Sequence, residues 1–288
     1  MTLAGRFAVV TGASMGLGAC IAEELVRRGA SVLLCARGEE PLAETAARLE
    51  AMTKKGQTVA ATRCDVTDEA QVDALLATAL RRFPHVDALV NNAGVYGPLG
   101  EIEAIDWQAW KDAIAVNLFG TVYPSRVFVD QFKARGYGKI VNLSGGGATN
   151  PLPRISAYAA SKAAVVRFTE TLAGEVAGCG IDVNAIAPGV LDTRMTRQLL
   201  DSGPETVGEA FYGRVKTMAA DGEKAMRRAS ELVAYLCSPA SDGISGRLIA
   251  ALWDPWPTLH ERRDEIAGTD IYTLRRILPR DRGKTWGD

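Results

Sequence analysis

The chain has 288 residues, of which 47% are hydrophobic and 23% are charged, and its formal net charge is −1. This composition is typical of a folded globular protein, and the balanced charge gives no reason to expect nucleic acid or a membrane as a partner. Two histidines and five dispersed cysteines lack the spacing of metal ligands. No apolar stretch has the pattern of a signal peptide or a bilayer-spanning segment, so we expect a cytoplasmic protein without a metal.

Short apolar runs alternate with segments of helical periodicity along most of the chain. The pattern predicts strands at residues 6–11, 31–36, 58–64, 86–90, 139–143, 181–186 and 246–252. It predicts helices at residues 17–28, 40–53, 68–82, 107–135, 155–177 and 225–237. Because apolar strands alternate with helices, we expect right-handed crossovers and an α/β fold: a single domain with a Rossmann-type doubly wound parallel sheet.

Two segments fall outside this alternation. Residues 194–222, here called the flap, mix Gly, Pro and Met with polar residues, and we expect them to lie outside the sheet. Residues 253–288, here called the tail, extend beyond a dinucleotide-binding and catalytic domain at residues 1–252. Prolines between aromatic residues at 253–257 predict an extended path at the start of the tail. Its four large aromatic side chains predict that the tail covers a subunit interface or closes the substrate cleft.

A glycine-rich turn, Thr-Gly-Ala-Ser-Met-Gly-Leu-Gly at residues 11–18, lies between the first strand and the first helix. Glycines in such a turn let the backbone approach a diphosphate, which the positive end of the following helix attracts. The predicted dinucleotide contacts in this turn are Gly12, Ser14, Met15, Gly16, Leu17 and Gly18.

Further motifs follow in chain order: Asp65 after the third strand, Asn91-Asn92-Ala93-Gly94, Asn117, Tyr158-Ala159-Ala160-Ser161-Lys162 and Pro188-Gly189. Together with the glycine turn, this set resembles the short-chain dehydrogenase/reductase family over about residues 5–252. The resemblance implies a nicotinamide-dependent oxidoreductase that interconverts a carbonyl compound and a secondary alcohol, and it implies a homodimer or homotetramer. The remaining cofactor contacts that it implies are Asp65, Val66, Asn91, Ala93, Gly94, Tyr158, Lys162, Pro188, Gly189, Val190 and Thr193.

The end of the second strand, Cys35-Ala36-Arg37, bears on the choice of cofactor. An NAD enzyme needs an acidic side chain there to accept hydrogen bonds from the adenine ribose. Here Ala36 leaves room, and the Arg37 guanidinium can bind a 2′-phosphate. The sequence therefore favours NADP(H) over NAD(H), although Met15 stands where NADP-dependent family members often carry a second basic residue.

Tyr158 and Lys162 are four residues apart on a predicted helix and therefore share one face. Reduction of a ketone needs a proton at oxygen, and a phenol with a pKa near 10 exchanges protons poorly at neutral pH. A neighbouring ammonium favours phenolate, so we expect Lys162 to lower the pKa of Tyr158, the predicted acid/base. By resemblance, Lys162 also binds the nicotinamide ribose, and Asn117 bends its helix and holds a water that links Lys162 to solvent.

The substrate-orienting serine of the family is missing from its usual place. The position thirteen residues before Tyr158 is Gly145, and Ser144 lies one residue earlier. Three alternatives remain open: Ser144 serves after all, another hydroxyl or a backbone N–H donates to the substrate oxygen, or the site is weakened for reduction.

The reaction and the substrate also leave alternatives. The expected substrate is a mostly apolar small molecule, because the loops that should line the pocket are largely apolar. Besides a reductase, a catalytically weakened nucleotide-binding regulator stays open, and so does an epimerase or dehydratase that retains its bound nicotinamide.

Overall fold

The computed structural model describes residues 2–286. Seven parallel strands form one sheet in the order β3-β2-β1-β4-β5-β6-β7, which confirms the predicted Rossmann-type doubly wound α/β fold. The strands are β1 (Phe7–Thr11), β2 (Ser31–Ala36), β3 (Val59–Arg63), β4 (Ala88–Asn91), β5 (Gly138–Leu143), β6 (Ile181–Ala187) and β7 (Leu248–Ala250).

Helices cover both faces of the sheet. The α-helices are α1 (Gly16–Arg27), α2 (Glu39–Glu50), α3 (Glu69–Arg82), α4 (Trp107–Ile114), α5 (Gly120–Arg135), α6 (Ser156–Glu175), α7 (Arg194–Asp201), α8 (Gly203–Val207), α9 (Glu209–Ala219), α10 (Gly222–Leu236) and α11 (Arg263–Ile266). Short 3-10 helices lie at Gly146–Ala148, Pro239–Ser241, Trp256–Arg262 and Pro279–Arg282. Among residues 2–286, no helix combines the length and the apolar character needed to cross a bilayer.

The central strands bury both of their faces, which explains their continuous apolar runs. Neighbouring side chains of a strand point to opposite faces. Val10 thus packs in the cluster under α1 and α10, whereas Val9 packs in the cluster under α3 and α5. The sheet is therefore the middle layer of three, and its carboxyl edge is free to carry a site.

The helix predicted at residues 107–135 has the predicted bounds, but it is not α-helical throughout, because a π-helical turn at Ala115–Phe119 lies between α4 and α5. Directly after this turn, Gly120 packs closely on the loop that follows β3, since a Cβ there would lie 2.5 Å from Val66 Cγ2. Pro124, one turn into α5, has no backbone N–H to donate to the preceding turn. The bend expected at Asn117 from the family resemblance is thus present as an actual change of helix type.

The flap lies outside the sheet, as expected, and it is helical. Residues 194–222 form α7, α8 and α9 and the first residue of α10, which begins three residues before the predicted start. Left-handed glycines separate these short helices, with φ of 78° at Gly203 and 87° at Gly208. The sequence did not predict these helices, because frequent glycines keep each one too short to show a helical repeat.

The tail runs along the open edge of β7 as far as it is described. The Leu248 N–H donates to the Tyr272 carbonyl at 2.8 Å, so tail backbone satisfies part of the strand edge. The extended path predicted for residues 253–257 is wrong in its last part, because Trp256 begins a 3-10 helix. Pro257 is accepted there since the first turn of a helix needs no N–H donors.

Candidate active site

A cleft of approximately 680 Å³ opens at the carboxyl edge of the sheet, between β1 and β4, where the strand order reverses. Most of the predicted cofactor contacts line it together with Ser144. These are Gly12, Ser14, Met15, Gly16, Leu17, Gly18, Arg37, Asp65, Val66, Ala93, Gly94, Tyr158, Lys162, Pro188 and Thr193.

Three predicted cofactor contacts, Asn91, Gly189 and Val190, are not in the described lining of this cleft. The Asn91 side chain is buried and donates to Asn142 Oδ1 at 2.9 Å, so it joins β4 to β5. Val190 packs in the apolar cluster beneath the flap. Gly189 turns the chain with φ of 90°. Sequence position placed all three near the cleft but did not reveal which way they face.

The glycine turn fits the diphosphate of a dinucleotide. A Cβ at Gly18 would lie 2.3 Å from the Gly12 carbonyl oxygen, and one at Gly12 would lie 2.8 Å from Ala93 Cα. Only glycine allows this close packing, which exposes backbone at the start of α1. Asn92, to which we assigned no role, donates from Nδ2 to the carbonyls of Thr11 and Gly12 at 3.0 and 3.1 Å. Its position in the Asn-Asn-Ala-Gly motif is the sequence feature that could have indicated this role.

Tyr158 and Lys162 lie together at the inner end of the cleft, on one face of α6. Their exposed fractions are 9% and 4%. Lys162 Nζ donates to the Leu143 carbonyl at 2.7 Å and lies 5.8 Å from the centroid of the Tyr158 ring. The end of β5 therefore fixes the ammonium beside the phenol.

The expected lowering of the Tyr158 pKa is not found. Burial raises the pKa of Tyr158 well above its ordinary value, and the neighbouring Tyr96 raises it further. Burial also lowers the pKa of Lys162 to about 8. Loss of hydration is the first cause of both shifts, so the phenol keeps its proton at neutral pH.

Asn117 lies behind this pair, fully buried in the π-helical turn. Its side-chain amide accepts from the Val95 N–H and donates to the Val95 carbonyl, both at 2.8 Å, and donates to Ser161 Oγ at 3.0 Å. A Cβ at Gly94 would lie 3.1 Å from Asn117 Oδ1 and 3.5 Å from Lys162 Nζ. Asn117 therefore fixes the loop after β4 against α6, while its predicted water relay stays a prediction.

Ser144 and Gly145 take different positions around Tyr158. Ser144 Oγ is buried and donates to the Lys162 backbone carbonyl at 3.2 Å. A Cβ at Gly145 would lie 2.3 Å from Tyr158 Oη. The tyrosine hydroxyl thus occupies the volume where a side chain at position 145 would begin, and the role of Ser144 toward substrate stays a prediction.

An apolar cluster surrounds the tyrosine on the side of the flap. It combines Ile155 and Tyr158 with Leu199, Val207 and Val215 from the flap helices. Leu199 is fully buried, so this flap residue packs against other residues of the protein. Two polar side chains of the neighbouring loops form ion pairs: Arg154 with Glu101 at 2.7 Å, and Asp192 with Arg197 at 3.0 Å.

The pattern of the short chain dehydrogenase family matches residues 6–203. The chain therefore belongs to this family, as the glycine turn, the Tyr158–Lys162 pair and the strand order also indicate. It is an oxidoreductase that uses a nicotinamide cofactor and acts on a carbonyl or alcohol group of a small molecule.

Among its relatives is a Streptomyces coelicolor protein named "Putative ketoacyl reductase", which is 34% identical over 251 residues, covering 84% of this chain and 94% of the relative. The solved structure of a single-residue variant of actinorhodin polyketide ketoreductase with NADPH has a TM-score of 0.76 and 31% identity, covering 85% of this chain and 95% of the other. NAD⁺-bound xylitol dehydrogenase has a TM-score of 0.78 and 26% identity, covering 87% and 98%.

Proposed function

We propose that the protein is an NADP(H)-dependent oxidoreductase that interconverts a carbonyl compound and a secondary alcohol on a mostly apolar small molecule. The observation that carries this proposal is the juxtaposition of Tyr158 and Lys162 at the inner end of a cleft whose outer end is the glycine turn. The apolar cluster beside Tyr158 supports an apolar substrate, because it offers little that could hydrate or pair a charge.

Different parts of the cleft would bind different parts of the cofactor and the substrate. The turn at 12–18 would hold the diphosphate, Asp65 and Val66 the adenine end, and Thr193 the nicotinamide end. A bound nicotinamide would supply or accept the hydride. Tyr158 holds the proton at Oη for the substrate oxygen, and Lys162 returns a proton to it from the solvent side. The raised pKa of Tyr158 keeps that proton in place until the substrate oxygen develops negative charge.

Arg37 supports the preference for NADP(H). It lines the cleft and is exposed, and its side chain takes part in none of the ion pairs or hydrogen bonds found within residues 2–286. Ala36 beside it is too small to fill the space next to the ribose. A free guanidinium at this place matches a 2′-phosphate in charge and geometry.

Titration calorimetry with NADPH and NADH tests the cofactor. We expect the protein to bind NADPH at least about tenfold more tightly, which corresponds to one charge-assisted contact. Arg37→Gln should remove that preference by weakening NADPH alone. Tighter binding of NADH to the unaltered protein would contradict the assignment.

A panel of ketones with NADPH tests the reaction itself. Steady loss of NADPH absorbance is expected, and Tyr158→Phe should lower the rate by about 10²–10⁴-fold without changing NADPH affinity. Ser144→Ala in the same assay measures whether that hydroxyl donates to substrate. Product formed without net loss of NADPH would instead indicate an epimerase or dehydratase.

A further inference from the structure

Position 145 offers the Tyr158 ring no side-chain contact. Gly145 contributes only backbone on that side, and the ring fills the space beside it. No partner for Tyr158 Oη is found among the hydrogen bonds of residues 2–286, although the group must be aimed at a substrate oxygen. Some other contact therefore has to fix the ring.

Tyr96 makes a direct ring contact with Tyr158. Its ring meets the Tyr158 ring edge to face, with centroids 4.9 Å apart and planes at 64°. This is a favourable arrangement for two aromatic rings, and it limits rotation of both. Tyr96 lies in the loop after β4, whose Val95 is held by the two hydrogen bonds to Asn117. The backbone next to Tyr96 is therefore held in place by Asn117.

The Tyr96 side chain also lies beside the side chain of Thr196, which is buried in α7 of the flap. Tyr96 itself packs among the apolar residues of the flap cluster. Its ring therefore spans the space between the flap and the tyrosine on α6.

We propose that Tyr96 is a positioning residue, whose ring holds the Tyr158 ring in place beside the Gly145 backbone, where the chain offers no side chain. This inference rests on the proposed function, because it concerns the alignment of the acid/base at Tyr158. This positioning needs the ring of Tyr96 more than its hydroxyl, since the ring makes the contact with Tyr158.

Tyr96→Leu and Tyr96→Phe separate this role from ordinary packing. We expect Tyr96→Leu to lower kcat by on the order of tenfold to a hundredfold, with NADPH affinity within about twofold, because a misplaced acid/base slows the chemical step alone. Tyr96→Phe keeps the ring contact and should retain kcat within about threefold.

Tyr212→Leu is the matched control. Tyr212 is a partly buried aromatic of the same cluster, and it makes no ring contact with Tyr158. Its variant should lose stability without losing kcat. An unchanged kcat in Tyr96→Leu, or an equal loss in Tyr212→Leu, would overturn the inference. If Tyr158→Phe is as active as the unaltered protein, the proposed function fails first, so the two failures are distinguishable.

Discussion

The absence of a side chain at Gly145 determines the position of Tyr158, the proposed acid/base. A Cβ at this position would lie 2.3 Å from Tyr158 Oη, far inside contact distance, and 3.1 Å from Cζ. The Tyr158 ring is buried and also contacts the Tyr96 ring, so it has little room to withdraw. A serine at position 145 would therefore displace Tyr158.

We predict that Gly145→Ser lowers kcat by at least about tenfold, because the ring must move away from its productive place. Gly146→Ser is the matched control, since a Cβ at Gly146 would meet nothing within 4 Å. Steady-state kinetics of both variants with one ketone provide the measurement. A gain of activity in Gly145→Ser would show that the gap is a defect and that the present position of Tyr158 is not the working one.

The pKa of Lys162 predicts how the rate of ketone reduction depends on pH. Its pKa is lowered to about 8 by burial, so the ammonium loses its proton as the pH rises through that value. Ketone reduction consumes a proton, and the neutral amine cannot resupply Tyr158. We therefore predict that kcat/KM for reduction is level below about pH 8 and falls about tenfold per pH unit above it.

The pH–rate profile of Lys162→Arg checks the assignment. A guanidinium keeps its charge throughout this range, so the alkaline fall should disappear even if the overall rate is lower. A fall with the same midpoint in Lys162→Arg would mean that another group titrates.

Among the helices and strands, the sequence predicts those that repeat a clear pattern and fails where a local contact overrides it. The strands at the centre of the sheet were predictable because they are apolar on both faces. The π-helical turn at Ala115–Phe119 was not, because it depends on the close approach of Gly120 to Val66, which are far apart in the sequence. The helices of the flap were not predicted because each one is too short to show a helical repeat in the sequence.

The same limit applies to the candidate site. Motif spacing brought Tyr158, Lys162 and the glycine turn together correctly, because the fold dictates which strand ends meet at the cleft. It did not predict the direction of the Tyr158 pKa shift, which depends on how completely neighbouring loops exclude water.

The π-helical turn makes Asn117 a structural bridge, which gives a prediction about stability. Asn117→Ala would remove the side chain that pairs the Val95 N–H and the Val95 carbonyl, and it would leave Ser161 Oγ with its bond to the Tyr158 carbonyl alone. We expect a loss of about 2–4 kcal/mol in the free energy of unfolding, measured by urea denaturation. Asn150→Ala, at an exposed position, should change it by less than about 0.5 kcal/mol.

For the molecule as a whole, the tail is part of the fold. No residue of 253–286 is in the described lining of this chain's cleft, and closure of a cleft by the tail stays a prediction. Its coverage of a subunit interface, and the homodimer or homotetramer itself, stay predictions. Trp107 at the start of α4 and Phe119 in the π-helical turn are large apolar side chains with exposed fractions of 60% and 59%.

Arg247 fastens the tail to the sheet edge. Its guanidinium, on a residue only 8% exposed, donates to the carbonyls of Ile266, Thr269 and Ile271 at 2.7, 2.8 and 2.7 Å. Arg247→Met keeps much of the apolar stem but leaves these carbonyls unpaired. We predict that it raises amide exchange at residues 266–274 by at least about tenfold, while kcat changes by less than about twofold because the tail lies outside the cleft.

Hydrogen exchange followed by mass spectrometry measures this release peptide by peptide. Arg276→Met serves as the control, because Arg276 lies in the same tail with an exposed side chain and makes no side-chain hydrogen bond or ion pair within residues 2–286. Selective deprotection in Arg247→Met alone would show that one buried guanidinium carries the attachment. Equal exchange in both variants would mean that the apolar contacts of Trp256 and Leu259 hold the tail without it.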